Sequence, residues 1–384
     1  MSQASSPPRL IAFYLPQYHP IPENDAWWGK GFTDWRNVAL ARPLFPGHYQ
    51  PHIPADLGFY DLRLSEVREA QAELATDYGI DGFCHYHYWF NGSQLLARPF
   101  QEVLRSGRPT LPFCLCWANE NWSRRWDGLD QEVLLRQEYS RADDVAHIRA
   151  LLPALADSRY LSVNNRRLLL VYRTTELPDP QRTAELWREL ALKEGSLELY
   201  LVRVQNNGDD IDPRIIGFDA AVQFAPDWSL PGAPIWHRRK GRLLNRLGLL
   251  PSAYIAHRIH DYDTLVHNLL HKPQPAYRLF PCVTPSWDNS PRRKHDATIF
   301  RGSTPHKYEL WLSTTLERTV ERFSGDERLV FVNAWNEWAE GSHLEPDLKY
   351  GRAYLESTRR AVAGTRERLA PPVRVTGRSP VRSP

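Results

Sequence analysis

The segment Leu329–Trp338 has the sequence LVFVNAWNEW, in which four apolar residues lead directly into Asn, Trp and Glu. A short apolar run of this kind predicts a buried β-strand, and the polar residues that follow predict a site at its end. Seven earlier segments show the same pattern: Leu10–Pro16, Gly82–Trp89, Pro112–Asn119, Arg167–Arg173, Leu199–Asn206, Ala220–Pro226 and Leu279–Trp287. The chain is therefore predicted to contain eight strands.

Helical patterns lie between most of these strands. The predicted helices are Ser65–Tyr78, Leu95–Ser106, Arg141–Asp157, Asp179–Lys193, Asp261–His271 and Pro305–Phe323. Alternating strands and helices predict an α/β fold with a parallel sheet. Eight repeats favour a single (β/α)₈ TIM barrel with long loops at its C-terminal face. An open doubly wound sheet is the alternative.

Two long segments interrupt the alternation, Ile21–Leu64 and Leu230–His260, and the second carries a basic run from His237 to Lys240. Both follow the C-terminal end of a predicted strand, where barrel loops build the active site. We expect the barrel domain to cover residues 10–369. Residues 1–9 and the Pro- and Arg-rich tail 370–384 are predicted to be disordered.

The composition is that of an ordinary globular chain, with 42% hydrophobic residues, 24% charged residues and a net charge of +3. That charge gives no reason to expect a nucleic-acid partner. The 14 Trp, 17 Tyr and 14 Phe stand out, because many lie beside hydrogen-bonding residues. An aromatic face with polar neighbours suits a sugar ring, although aromatic residues also fill large cores.

The cysteines and the N-terminus bear on the compartment. Cys84, Cys114, Cys116 and Cys282 are predicted to be reduced core residues. Residues 1–9 have no basic stretch followed by an apolar one, so no signal peptide is predicted. No apolar run approaches the roughly 18 residues of a membrane span. A cytoplasmic location is therefore expected.

Glu337 and Glu340 are the predicted catalytic residues. Alternation along the last strand puts Asn333, Trp335 and Glu337 on one face, with Glu337 at the rim and Glu340 three residues later. Glycosidic cleavage needs such a pair, one carboxyl to donate a proton and one to act as base or nucleophile. Their proximity and burial should separate their pKa values. The alternative is that Glu337 caps a neighbouring backbone group and Glu340 is solvated.

Polar and aromatic residues crowd the other predicted strand ends and are interpreted as substrate-binding. In chain order, these candidates are Tyr14, Gln17, Tyr18, His19, Trp35, His85, His87, Trp89, Trp117, Asn119, Glu120, Trp122, Trp126, Gln205, Asn206, Trp287, Asp288, Trp335 and Asn336. His85 and His87 share a strand face and resemble a metal-binding pair. The residues on the fifth and sixth strands are amides, which are poor ligands. We therefore predict no metal and no cofactor.

The sequence as a whole resembles the WbsX-like proteins, which are found with bacterial cell-surface polysaccharide synthesis and are related to glycoside hydrolase family 99. The matching segments span residues 13–347: FYLPQYHPIPENDAWWGKGFTDW, GFCHYHYWFNG, LCWANENWSRRWDG and NAWNEWAEGSHLEPD. The resemblance implies a (β/α)₈ barrel and a retaining reaction like that of an endo-α-mannosidase.

The resemblance also implies a role for each glutamate. Glu337 would be the base at the 2-hydroxyl of the donor sugar, whose oxygen then attacks the anomeric carbon. Glu340 would be the acid that protonates the leaving oxygen, in a substrate-assisted variant of glycoside hydrolysis. The sequence differs at Ala339, where the hydrolases usually carry His.

We therefore expect a carbohydrate-active enzyme of cell-surface polysaccharide or O-antigen biosynthesis. With water as acceptor it would be a glycoside hydrolase, and with a sugar hydroxyl a glycosyltransferase or transglycosylase. The expected partner is a glycan or a lipid-linked oligosaccharide, and the basic run near His237 could contact an anionic membrane. The other hypotheses are a non-catalytic carbohydrate-binding barrel and a metal-dependent hydrolase that uses His85 and His87. The oligomeric state is not predicted.

Overall fold

The structure, a computed structural model, describes residues 6–124, 129–236 and 238–369. The predicted disordered segments lie outside these residues, except for residues 6–9, of which Arg9 begins the first strand.

Eight parallel strands close into a barrel in the described part of the chain. They are β1 (Arg9–Tyr14), β2 (Gly82–Phe90), β3 (Phe113–Trp117), β4 (Arg166–Val171), β5 (Leu199–Gln205), β6 (Ala220–Gln223), β7 (Leu279–Phe280 with Cys282–Val283) and β8 (Leu329–Val332). Neighbours along the chain pair in order, and β1 also pairs with β8. The predicted TIM barrel is confirmed, and the open doubly wound sheet is wrong.

The seventh strand is divided at Pro281, which has no backbone N–H to donate. Its first segment pairs with β6 and its second with β8. The carbonyl of Pro281 still accepts the N–H of Phe331 at 2.9 Å. The two short segments together close the barrel.

Eleven α-helices lie in the described residues. They are α1 (Pro22–Trp28), α2 (Trp35–Leu40), α3 (Ser65–Asp77), α4 (Arg98–Ser106), α5 (Arg141–Leu155), α6 (Pro180–Gly195), α7 (Arg238–Arg246), α8 (Ala253–Ala256), α9 (Tyr262–Leu270), α10 (Pro305–Arg322) and α11 (Ala353–Leu369). All six predicted helices are present. The sequence pattern missed the other five, α1, α2, α7, α8 and α11, of which α11 packs against α10.

The barrel strands form where they do because both of their faces are buried. All four residues of β8 have no exposed surface, and β5 is buried along its whole length. Such strands are near-continuous apolar runs rather than alternating ones. The four cysteines are buried and unpaired, as predicted.

The loops at the C-terminal ends of the strands carry their own short strands. A three-stranded sheet there joins Trp287–Asp288, Thr298–Arg301 and Arg258–Asp261. The other short strands at these ends are Ser93–Leu95, Trp122–Arg124, Leu129–Leu135, Asn336–Glu337 and Ser342–His343, whereas Ser162–Val163 pairs with the N-terminal end of β4. Short 3₁₀ turns occur at Thr174–Glu176, Pro213–Ile216, Gly325–Glu327 and Trp338–Glu340. Among the described residues, no helix is both long enough and apolar enough to cross a bilayer.

Candidate active site

A cavity of about 530 Å³ opens at the C-terminal ends of the barrel strands. Aromatic rings form much of its wall: Trp27, Trp28, Tyr86, Tyr88, Trp122, Tyr172, Phe224, Trp228 and Trp287. Polar groups project among them, including Gln17, Asn24, Glu120, Arg173, His260, Asn289, Arg292, Glu337 and Glu340. The position is the usual one for the active site of this kind of barrel.

Glu337 and Glu340 lie on a hairpin that follows β8. Strand Asn336–Glu337 pairs with strand Ser342–His343, and the 3₁₀ turn Trp338–Glu340 joins them. Both glutamates line the cavity. The tight turn therefore brings the two carboxylates of this pair to one site.

Gly341 allows the hairpin to turn so sharply. Its φ is +57°, and a Cβ at this position would lie 3.0 Å from the Cβ of Asp288 and 3.1 Å from two of its backbone atoms. Only glycine meets both conditions without strain. The residue therefore allows the strand that carries Asp288 to approach the hairpin closely.

Arg292, in the loop after β7, contacts both glutamates. Its Nη2 lies 3.0 Å from Oε2 of Glu337, and its Nη1 lies 2.8 Å from Oε1 of Glu340. The same Nη2 is 2.7 Å from Oδ2 of Asp34, a fully buried carboxylate. One guanidinium thus faces three carboxylates, so the negative charge of the cluster exceeds its positive charge when all three are ionised.

Burial makes it costly for both glutamates to be ionised together. Desolvation raises the pKa of Glu337 to about 8, and the charges of Glu340 and Asp34 add to the effect while Arg292 opposes it. Desolvation also raises the pKa of Glu340, again against the pull of Arg292. The Glu337 side chain is only 7% exposed, compared with 22% for Glu340. The pair therefore retains a proton near neutral pH.

Asn336 holds the hairpin to the first strand. Its Oδ1 accepts the N–H of Leu15 at 2.7 Å, and its Nδ2 donates to the carbonyl of the same residue at 3.0 Å. The hydroxyl of Tyr18 donates to the carbonyl of Asn336 and accepts the N–H of Trp338. Asn336 and Tyr18, both predicted to contact substrate, instead position the segment that carries Glu337.

A further glutamate, Glu345, is buried and holds the hairpin through a hydrogen bond with Trp338. Its carboxylate accepts hydrogen bonds from Gln71 Nε2 at 2.6 Å, Tyr60 Oη at 2.8 Å and Trp338 Nε1 at 2.6 Å. Desolvation raises the pKa of Glu345 to about 7, although these donors favour the charged form. The folded protein therefore binds the proton more tightly than the unfolded chain does.

This pKa predicts a pH effect on stability that Glu345→Gln should remove. Between the unfolded pKa, about 4.3 for Glu, and the folded one, the native state holds more protons, so stability falls as pH rises. Relative to the wild type, the variant's free energy of unfolding should rise by roughly 3 kcal/mol between about pH 4 and pH 8. Urea unfolding at several pH values measures this. Glu185→Gln, on the exposed face of α6, is the control, and parallel curves for wild type and Glu345→Gln would contradict the prediction.

Six of the predicted site residues line the cavity. They are Gln17, Glu120, Trp122, Trp287, Glu337 and Glu340. Glu120 forms an ion pair with Arg173, whose Nε lies 2.8 Å from its Oε1. The functional role of each of these residues stays a prediction.

The prediction for β2 placed the wrong face of the strand at the site. The His85 ring packs against Phe100 of α4, and His87 Nε2 lies 3.0 Å from His147 Nε2 of α5. Trp89 Nε1 donates to Asp143 at 3.0 Å. These three side chains point outward toward the helices. The intervening residues of the strand, Tyr86 and Tyr88, line the cavity instead.

Other predicted contacts lie in the packing around the cavity. Tyr14 donates to Gln71, and Trp35 Nε1 donates to the carbonyl of Tyr60. His19 is buried, and neither of its ring nitrogens has a hydrogen-bond partner. None of these three lines the cavity. They pack instead among the residues that hold the loops after β1 in place.

Four other predicted residues at the C-terminal ends of β3 and β5 also lie outside the cavity lining. Trp117 packs on Trp187 of α6, with ring centroids 5.7 Å apart. Asn119 donates to the carbonyl of Arg173 and to the hydroxyl of Tyr139. Gln205 bonds Asp210 and Tyr277, and Asn206 accepts a hydrogen bond from Arg173. These groups fix the loops whose other residues reach the cavity.

The remaining predicted substrate-binding residues are Asp288, Trp335 and Trp126. Asp288 Oδ2 is held by His48 at 2.6 Å and by Gln50 at 2.7 Å. Trp335 is fully buried, because β8 ends at Val332 and simple alternation does not continue beyond it. Trp126 lies outside the described residues.

Several groups in the cavity were not predicted from the sequence, Arg292 above all. Arg292 and Asp34 lie in loops with no periodic pattern, so no spacing rule links them to Glu337. Tyr86 and Tyr88 could have been found by treating the alternate face of β2 as the inner one. Tyr172 and Arg173 directly follow β4, and Trp228 lies five residues after the end of β6. Polar and aromatic residues near strand ends had already been taken as a signal.

Among the residues that the structure describes, His85 and His87 belong to no group of three possible metal ligands. Among the described residues, three possible ligand side chains with donor atoms within 4.8 Å of one another occur at His52, His343 and Asp347. His52 Nδ1 and His343 Nε2 lie 2.8 Å apart, which fits a direct hydrogen bond between the rings. These residues lie outside the lining of the cavity that contains Glu337 and Glu340.

Comparison with solved structures shows proteins of the same fold. A glycoside hydrolase-like protein superposes with a TM-score of 0.56 and 13% identity, over 94% of this chain and 96% of that one. A GH99 endo-alpha-mannosidase from Bacteroides thetaiotaomicron, solved in complex with bis-tris-propane, gives 0.55 and 14%, over 94% and 97%. At such identities the likeness establishes the barrel fold and nothing finer.

Two sequence relatives are much closer. Protein WxcX from two strains of Xanthomonas campestris pv. campestris is 46% identical over 356 residues, which is 93% of this chain and 50% of the relative. The chain thus spans about half the length of the curated relatives it matches.

A family profile described as glycosyltransferase WbsX matches residues 10–358, which include every barrel strand except the first residue of β1. The matched segment also contains the cavity and both glutamates. The chain belongs to the family described as glycosyltransferase WbsX.

Proposed function

We propose that this protein breaks and re-forms a glycosidic bond with retention of anomeric configuration, and that Glu337 and Glu340 are its catalytic pair. One observation carries the proposal. A buried carboxylate, Glu337, and a half-buried one, Glu340, share one guanidinium in an aromatic-walled cavity at the C-terminal end of the barrel. Aromatic rings offer apolar faces for the C–H faces of a sugar ring, while the polar groups among them suit its hydroxyls.

The proposed substrate is a glycan with an α-linked mannose or a related sugar at the cleavage site. The solved neighbour named as an endo-alpha-mannosidase suggests this sugar, and the family name suggests transfer to an acceptor. The acceptor decides the reaction class: water gives a hydrolase, and a sugar hydroxyl gives a glycosyltransferase or transglycosylase. A role in making cell-surface polysaccharide, at the cytoplasmic side on a lipid-linked oligosaccharide, is part of the proposal.

In the first step, Glu337 removes the proton of the donor sugar's 2-hydroxyl, and that oxygen bonds to the anomeric carbon. The glycosidic bond breaks at the same carbon, and Glu340 gives its proton to the leaving oxygen. In the second step, the acceptor attacks the anomeric carbon and gives its proton to Glu340. The bond from oxygen 2 to the anomeric carbon opens, and Glu337 returns its proton to oxygen 2.

The shared proton of the pair fits this cycle. The reactive form has one proton on Glu340 and none on Glu337, which is one distribution of a singly protonated pair. Arg292 contacts both carboxylates, so it can balance the negative charge wherever the proton lies. Asp34 in turn holds the guanidinium in place at 2.7 Å.

The pH dependence of kcat/KM should be bell-shaped for a soluble glycoside substrate. The alkaline limb should lie near the Glu337 pKa of about 8, because the pair loses its last proton there. The acid limb should lie above the ordinary glutamate pKa, because burial raises the pKa of Glu340 as well. Initial rates across the pH range measure both limbs. A kcat/KM that stays constant through the alkaline limb would contradict the proposed pair.

The test of the proposed function is product analysis with a panel of soluble α-mannosides and the surface glycan of the host. Turnover with retained configuration supports the proposal, and added sugar acceptors distinguish transfer from hydrolysis. Glu337→Gln and Glu340→Gln should each lose turnover. A carbohydrate-binding barrel without catalysis would instead bind the glycans, show no turnover in the wild type, and retain affinity in both variants.

A further inference from the structure

The segment between β6 and α9 is strongly basic. No Asp or Glu occurs between Asp227 and Asp261. Four basic side chains of α7 are exposed: Arg239, Lys240, Arg242 and Arg246. Three of them, at positions i, i+3 and i+7, lie on one side of the helix. This side therefore carries a concentrated positive charge.

Large apolar side chains are exposed beside these charges. Leu243 is 61% exposed, Leu247 62% and Leu249 70%. Leu247 directly follows the last residue of α7, and its N–H donates to the carbonyl of Leu243 at 3.2 Å, so the two leucines lie about one turn apart. Grouped apolar side chains on a surface mark a place where another surface binds. The four basic residues and three leucines are called the basic-leucine patch below.

The opposite side of α7 packs against the segment that follows the helix. Gly241 is buried, and a Cβ there would lie 3.6 Å from a methyl group of Leu250. Leu250 is 7% exposed, and its carbonyl accepts a hydrogen bond from Asn245 Nδ2 at 2.8 Å. The basic-leucine patch therefore faces away from this segment.

The patch belongs to a loop that also builds the cavity. Pro231 and Arg258, which lie before and after α7 in the chain, both line the cavity that contains Glu337 and Glu340. Any surface that α7 binds would therefore contact the same loop that forms part of the cavity wall.

We propose that the basic-leucine patch docks the enzyme on an anionic lipid bilayer. The cationic groups would contact lipid phosphates, and the leucines would enter the boundary between head groups and acyl chains. Such docking would present the cavity to a glycan that is attached to lipid in the same membrane. This last consequence rests on the proposed function, whereas the binding of lipid does not.

Sedimentation with sucrose-loaded vesicles tests the docking. The full chain should bind vesicles of phosphatidylcholine with about one third phosphatidylglycerol, and should bind pure phosphatidylcholine vesicles far more weakly. Added salt should weaken the binding, because it screens the charges. Each basic residue near an anionic surface contributes roughly a fivefold gain in partitioning.

Two sets of substitutions separate the parts of the patch. The quadruple variant R239Q/K240Q/R242Q/R246Q should lower partitioning by roughly 100- to 1,000-fold, from about fivefold per charge. The triple variant L243S/L247S/L249S should lower it by about tenfold or more, because the leucines lose their contact with lipid. Both should leave turnover of a soluble glycoside unchanged, and circular dichroism should confirm that they fold.

Matched controls carry the same changes elsewhere. R105Q/R108Q/R182Q/K193Q removes four exposed basic side chains, and L64S/L192S/L310S removes three exposed leucines. Neither control should alter vesicle binding. Binding that the controls reduce as much as the patch variants do would overturn the proposal, as would binding that is independent of anionic lipid.

A heparin column distinguishes a bilayer from a soluble polyanion. Retention on heparin that depends on the four basic residues, together with vesicle binding that is insensitive to the leucine variant, would overturn the bilayer in favour of a polyanion. Vesicle binding by an enzyme that turns over no glycoside would instead overturn the proposed function and leave the docking intact. The two failures are therefore distinguishable.

Discussion

Replacing Glu340 by Gln is expected to lower kcat/KM for a natural glycan by about 10³-fold, because the leaving oxygen then departs without a proton. Positioned acid–base groups contribute about 10²- to 10⁴-fold. The same variant should retain most of its activity on a glycoside with an activated leaving group, such as a dinitrophenyl glycoside, which needs no protonation. Steady-state rates on both substrates measure the difference.

Glu337→Gln provides the contrast. A base acting at the 2-hydroxyl is needed whatever the leaving group, so this variant should lose activity on both substrates by a similar factor. Glu120→Gln, which changes a cavity carboxylate paired with Arg173, is the matched control and should have a much smaller effect on the leaving-group dependence. If Glu337→Gln retained activity on the activated substrate and Glu340→Gln did not, the two roles would have to be exchanged.

Replacing Arg292 by Met should abolish activity and destabilise the protein. The guanidinium contacts Asp34, Glu337 and Glu340, and removing one partner of a buried ion pair costs about 3–5 kcal/mol. The loss should be largest at alkaline pH. Without the cation, the glutamate pKa values rise further, and the carboxylates can avoid repulsion only by binding protons. Urea unfolding at pH values on both sides of the Glu337 pKa measures the effect.

Two companion variants test the cause. Adding Asp34→Asn to Arg292→Met removes one of the uncompensated carboxylates, so it should restore part of the stability but none of the activity. Arg149→Met breaks an exposed ion pair with Glu194, and such pairs contribute only about 0–1 kcal/mol. A loss of stability for Arg292→Met that matches this control, or that is equal at acid and alkaline pH, would contradict the buried-charge argument.

The barrel was predictable because its signals are local. Short apolar runs followed by helical periods placed all eight strands. The division of β7 at Pro281 was not predicted, nor were α11 and the four helices in the two long loops, α1, α2, α7 and α8. The importance of Glu337 and Glu340 also came from local sequence, since a tight turn after one strand must bring residues three positions apart to the same rim. Both glutamates line the cavity.

The inner face of each strand was not predictable in the same way. In β2, His85, His87 and Trp89 share one face, and Tyr86 and Tyr88 share the other. Both sets are aromatic and polar, and both faces of a barrel strand are buried, one by the interior and one by the helices. Period-two alternation shows which residues are together, but it carries no information about which set points inward.

The sequence by itself determined the order of strands and helices, the barrel they form, and the pair of carboxylates at one strand end. Tertiary structure alone decided that Tyr86 and Tyr88 face the cavity, and that Arg292 joins Asp34 to both glutamates. The physical reason is the distance along the chain over which each kind of interaction acts. Backbone periodicity and turns act over a few residues, whereas Asp34, Arg292 and Glu337 are far apart in the chain and meet only when the barrel closes and its loops pack.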